Sequence, residues 1–142
     1  MAKETDNKYA SRSLIDKLGV KPAASVALIG ISDPSFLEQL GARTHDVASS
    51  RLKKDRDLIF LSADRVQELQ QLERLKGYLK SNGAIWVVST KGKQARIKDL
   101  DVIAAAQRAG LVDNKVVSFS DTHNALKLVI PLALRKASTG KR

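Results

Sequence analysis

Few residues of this 142-residue chain are of types that do chemistry. Lys91, Lys93, Arg96 and Lys98 place four cations within eight residues, interrupted by Gly92, and such a cluster can hold a phosphate or a nucleic-acid backbone. Further on, Asp121 and His123 stand two residues apart, a spacing that superficially suits acid–base work. No nucleophile accompanies them. The chain has no cysteine, which excludes disulfides and thiolate metal sites, and the other histidine, His45, has no second ligand at metal spacing. These residues point to anion binding rather than bond making. The candidate ligand-binding set is Lys91, Lys93, Arg96, Asp121 and His123, with no catalytic residue, metal or cofactor assigned and a non-enzymatic protein expected.

Composition narrows the partners. The net charge is +10, and it is uneven: residues 1–56 hold ten Lys/Arg against seven Asp/Glu, residues 57–142 fifteen against eight. The basic excess gathers in the 91–98 loop and in Arg135, Lys136, Lys141 and Arg142, which favours anionic partners. Aromatic residues are 4% of the chain, too sparse for a base-stacking platform. Weak, sequence-independent nucleic-acid binding through the loop and tail is therefore the alternative, and an anionic small molecule or protein the main expectation. No apolar run reaches the roughly 18 residues that span a bilayer, so no membrane partner is expected. The absence of cysteine and of an apolar core in MAKETDNKYASRS fits a cytoplasmic protein.

The elements that must position these residues are readable from pattern. Three short apolar runs, Ser25 to Gly30, Asp57 to Ser62 and Ala84 to Ser89, read as buried parallel strands, each followed by a helix. Asp33-Pro34 starts the first of those helices, with Phe36, Leu37 and Leu40 buried and Gly41 at its end. Asp33 already supplies negative charge to that helix start, which argues against a phosphate there. Arg43 to Ala48 reads as a weaker strand and 49–56 as exposed loop. Val66 to Lys80 reads as a helix capped by Asp64, and Ser81-Asn82-Gly83 as a turn. Asp99 or Asp101 caps a helix that buries Leu100, Ile103 and Ala106. Asp113-Asn114 is a turn before strand 116–120, and SDTHN (120–124) joins that strand to 126–130. Ser11 caps a short first helix that ends at Leu18. Residues 1–10 are expected to be flexible, 11–132 to form the domain, and 133–142 a basic tail, helical at first.

KLGVKPAASVALIG, DLIFLSAD, LKSNGAIWVVSTK and AGLVDNKVVSFSDTHNALKLV, spread from Lys17 to Val129, resemble a family of small uncharacterised bacterial proteins. Gly83 to Trp86 and Ala109 to Lys115 are the most specific pieces. The resemblance implies an α/β fold: a truncated class I methyltransferase-like, Rossmann-like domain with a mostly parallel sheet and an antiparallel C-terminal strand. In methyltransferase labels the implied sheet order is 2-1-4-5-7-6, with strand 3 missing. No activity comes with it. Active methyltransferases place a Gly-rich turn after strand 1 and an acid at the end of strand 2. Here those positions read Gly30-Ile31-Ser32-Asp33-Pro34 and Ala48-Ser49-Ser50, with Asp46 too early. An S-adenosylmethionine-dependent enzyme is therefore the second alternative.

Overall fold

The computed structural model describes residues 13–49 and 51–135. In chain order these form α1 (Leu14–Lys17), β1 (Val26–Ile29), α2 (Pro34–Arg43), β2 (Val47–Ala48) and β3 (Arg56–Ser62). A 3₁₀ turn, Val66–Gln70, leads into α3 (Gln71–Lys76), then β4 (Leu79–Thr90), a 3₁₀ turn at Gly92–Gln94 and α4 (Asp99–Arg108). The chain ends on β5 (Val112–Ser118), β6 (His123–Val129) and a 3₁₀ turn at Leu132–Leu134. The expected flexible segment 1–10, the Ser11 cap and tail residues 136–142 lie outside the described residues. Ser13 caps α1 instead, its Oγ accepting from the Asp16 N–H at 3.1 Å.

One six-stranded sheet carries the fold, in the order β2-β1-β3-β4-β6-β5. β1, β2, β3 and β4 are mutually parallel, and β6 lies antiparallel between β4 and β5. This is the order that the resemblance implies, with no strand between β2 and β3 among the described residues. The three strong apolar runs are neighbouring parallel strands, as expected. Pleating sends alternate side chains to opposite faces. Leu58, Phe60, Trp86 and Val88 pack with Ile15, Leu18, Phe36 and Leu40 of α1 and α2. Ile59, Leu61, Ile85 and Val87 pack with Leu69, Leu72 and Leu75, and with Val102, Ala105 and Ala106 of α4. Trp86, read as core, is fully buried, and its indole N–H donates to the Leu18 carbonyl at 3.1 Å.

Several boundaries move, each for a local physical reason. The helix read over 66–80 ends at Lys76, because Leu79 is buried from β4, opposite Arg56, and not from a last helical turn. The turn read at 81–83 lies inside β4, where the register with β3 shifts between Arg56 and Leu58. Helix α2 continues past Gly41 to Arg43, whose guanidinium is anchored on the Val20 carbonyl and the Asp16 carboxylate, so the weak strand shrinks to Val47–Ala48. Helix α4 is rotated from the expected face: Val102, Ala105 and Ala106 are buried, and Leu100 is 74% exposed. Neither Asp99 nor Asp101 is its N-cap. Lys98 is, and Asp101 accepts the Lys98 N–H at 2.8 Å. Asp113-Asn114 belongs to β5 at a bulge, and His123 and Asn124 already belong to β6.

Gly83 explains why β4 tolerates its register shift. A Cβ at this position would lie 2.7 Å from the Asp57 carbonyl oxygen and 3.0 Å from that of Arg56, both backbone atoms. Gly83→Ala therefore forces the two central strands apart and should destabilise the fold by about 1–3 kcal/mol, the usual cost of overpacking. The check is the denaturant midpoint, and an unchanged midpoint would show that β4 can relax away from β3.

Candidate functional site

In an open parallel sheet, ligands bind beyond the carboxyl ends of the strands, where strand order reverses. Here the reversal falls between β1 and β3. The carboxyl edge carries Gly30 after β1, Ser49 after β2, Ser62 closing β3 and Thr90 closing β4. Because β6 runs antiparallel, it brings His123 to this edge, and β5 brings Ser118.

The edge is knitted by polar contacts. Asp64, read as a helix cap, instead accepts the Thr90 N–H at 2.9 Å and so clamps the ends of β3 and β4. Glu68 performs the capping, its Oε1 accepting from Asp64 N–H and Arg65 N–H at 2.8 and 3.0 Å. The Lys91 backbone N–H donates to the Thr122 carbonyl at 3.0 Å, and its Nζ donates to Ser118 Oγ at 2.8 Å. Two further ammonium protons of Lys91 remain for a ligand. His123 is held between hydroxyls: Thr122 Oγ1 is 2.8 Å from Nδ1 and Thr90 Oγ1 is 3.5 Å from Nε2. A hydroxyl donates or accepts, so both tautomers are accommodated.

Of the sequence-selected residues, Lys91 and His123 therefore meet at one end of the edge. Lys93 and Arg96 are exposed on the loop leading to α4, and Asp121 is exposed at the turn tip. The suggestive Asp121–His123 pair does not form a hydrogen bond among the described residues. Hydroxyls occupy the positions on the ring that a dyad would need for its carboxylate.

Three hollows line the carboxyl edge. One, of 290 Å³, lies between the Ser32-Asp33-Pro34 turn and Thr122-His123. Asp33 there accepts the Phe36 N–H at 3.1 Å as the expected N-cap. A second, of 380 Å³, holds Arg96 and Arg65 beside Asp64 and Glu68, so its charges balance. The third, of 320 Å³, sits at the ends of β1 and β2 against Ile29, Gly30, Ala48 and Ser49. Its only charged lining residues are Arg51 and Arg74, and neither has an ion-pair partner among the described residues. Sequence reading missed both. Arg51 lies in the stretch read as exposed loop and Arg74 within the helix read over 66–80, and only the crossover from β2 brings them together.

Residues 45–132 match the model of a family described as "Protein of unknown function (DUF3052)", well over half of the chain. The chain belongs to the DUF3052 family. No curated protein matches the sequence. Among solved structures, the DUF3052 chain is similar to a putative type 11 methyltransferase from Sulfolobus solfataricus, with a TM-score of 0.63 at 13% identity over 94% of this chain and 95% of that one. It is also similar to a SAM-dependent methyltransferase from Aquifex aeolicus, with a TM-score of 0.62 at 16% identity over 83% and 88%. Fibrillarin from Aeropyrum pernix, in complex with natively bound S-adenosyl-L-methionine, gives 0.55 at 12% identity over 79% and 69%. Against longer chains the match is partial: this chain spans 49% of the mitomycin 7-O-methyltransferase MmcR. These likenesses show a methyltransferase-like, Rossmann-like fold. Among the described residues, no helix is long and apolar enough to cross a membrane.

S-adenosylmethionine is the cofactor that such a fold implies, and the residues present do not fit it. The turn after β1 has one glycine, Gly30, with φ +75°, followed by Ile31, Ser32, Asp33 and Pro34. Among the described residues lining the hollow at the end of β2 there is no carboxylate to take ribose hydroxyls, and two arginines stand there. The nearest acid, Asp46, precedes β2 and pairs with the buried Arg56 at 3.0 Å. The Arg56 hydrogen bond is the main cause that holds the Asp46 carboxyl below the ordinary carboxylate range. A carboxyl with a lowered folded pKa contributes stability that is present above its unfolded pKa and lost as pH falls through its folded pKa. Acid titration of unfolding midpoints should therefore be flatter below about pH 4 in Asp46→Asn than in the unaltered chain. Identical acid limbs would show that the Asp46–Arg56 pair contributes nothing.

Proposed function

We propose that this protein is a non-enzymatic, cytoplasmic binder of an anionic ligand at the carboxyl edge of its sheet. One observation carries the reading: among the described residues, the hollow at the ends of β1 and β2, where this fold offers its crevice, contains two arginines and no acid. Guanidinium groups grip phosphate and carboxylate oxygens in pairs, and each such charge-assisted bond is stronger than a neutral one. Lys91, Lys93, Arg96, Asp121 and His123 form the rim at the other end of the same edge. Neighbouring strands lie about 4.8 Å apart, so an anion about 10 Å long reaches from β1 to β4. The ligand is a small molecule or an acidic segment of a protein. Methyl transfer is the weaker reading, because the ribose-binding acid and the generous glycine turn are both missing.

Calorimetry tests the reading directly. Pyrophosphate should bind saturably, and Arg51→Gln and Arg74→Gln should each weaken it by about 1–3 kcal/mol, the usual loss for a hydrogen bond to a charged group. Equal losses in Lys53→Gln would point to a diffuse basic surface and favour the nucleic-acid reading. S-adenosylmethionine should show no saturable binding at submillimolar concentration. A dissociation constant near 10 μM, about 7 kcal/mol of binding, would overturn the non-enzymatic reading.

A further inference from the structure

The opposite, amino edge of the sheet has its own cleft, of 600 Å³, within the range of small-molecule sites. It is bounded by the Gly19–Ala24 segment after α1, by Asn82 and Gly83 of β4, and by Asn114, Lys127 and Arg135. Three of its lining residues are cations: Lys21, Lys127 and Arg135. Its one acid, Asp57, is already engaged, by Lys80 at 3.1 Å and by the Ser25 N–H at 2.9 Å.

The cations are placed at a cost. Lys127 sits on β6 directly opposite Lys115 of β5, and like charges across a ladder repel. Its Nζ lies 5.9 Å from the centroid of the buried Trp86 ring, half withdrawn from water. That burial, then the charges of Lys115 and Arg135, push its pKa down. The Arg135 Nε is held by the Ile130 carbonyl at 2.8 Å, which fixes the guanidinium and leaves its terminal nitrogens without partners among the described residues. None of Lys21, Lys115, Lys127 or Arg135 has an ion-pair partner among the described residues. The Trp86 face accounts for the position of one cation but not for three around one cleft. An external anion would offset this repulsion, and the Asn82 and Asn114 amides add neutral donors beside it.

We propose that this cleft is a second anion site, distinct from the carboxyl edge, and that it takes a small phosphate-bearing polyanion between Lys21, Lys127 and Arg135. A concave cleft with converging cations suits a compact polyanion better than an extended nucleic-acid backbone, which follows a stripe of charge. The proposal does not rest on the carboxyl-edge reading, and its test removes that site first. Inorganic tripolyphosphate is titrated calorimetrically into the full chain carrying Arg51→Gln and Arg74→Gln. One saturable site should remain. Lys127→Gln or Arg135→Gln in that background should weaken it by about tenfold or more. In the unaltered chain, tripolyphosphate should slow acylation of Lys127 by an amine-reactive ester, read by mass spectrometry, but not that of Lys76 on α3, which lines neither site. This footprint needs no substitution and so does not depend on how a variant folds. Absence of the remaining site, or equal slowing at Lys76, would overturn the proposal. So would preferential binding of a single strand of about 20 nucleotides with a steep salt slope, which would make the edge a nucleic-acid surface instead.

Discussion

Ile59, Phe60, Leu61, Ile85, Trp86 and Val87, the middle of the β3–β4 pair, are essentially inaccessible to water. Two adjacent strands apolar on both faces must be covered on both, and each such side chain contributes about 1.5–3 kcal/mol when fully buried. The rest of the molecule follows from that constraint. α1 and α2 cover the face with Phe60 and Trp86, and α3 and α4 cover the face with Ile59 and Ile85. β1 and β6 then protect the lateral edges of the pair. The close approach at Gly83 and the Asp64 clamp on Thr90 hold the two strands of the pair to each other, and the Trp86 bond to Leu18 ties the pair to the segment after α1.

Because the centre is apolar, all chemistry is pushed to the two ends of the strands. The carboxyl edge collects hydroxyls, His123 and the Arg51–Arg74 hollow, and the amino edge collects Lys21, Lys127 and Arg135. Pairing sorts structural cations from available ones. Arg43, Arg56 and Lys80 face Asp16, Asp46 and Asp57 and hold local structure. The cations left over have no ion-pair partner among the described residues. A shared fold therefore says little here about a shared reaction, because the groups at the strand ends, not the frame, decide what such a domain does.

The sequence by itself determined the alternation of strands and helices, the identity of the three central strands, the N-cap at Asp33 and the excess of positive charge. These are properties of short windows, set by apolar runs, turn residues and composition. The resemblance added the sheet order. Where the windows were ambiguous the reading slipped: Leu79 completes a helical period as well as it starts a strand, and Leu100 suits either phase of α4. Packing against the sheet chose between them: Leu79 is buried from β4 opposite Arg56, and α4 buries Val102 with Ala105 and Ala106. The tertiary structure alone decided which charges are free and which share a hollow. Arg51 and Arg74 come from separate segments, and Lys21 lies more than a hundred residues from Lys127 and Arg135. Their convergence depends on register and on the crossovers, which no local pattern of residues encodes.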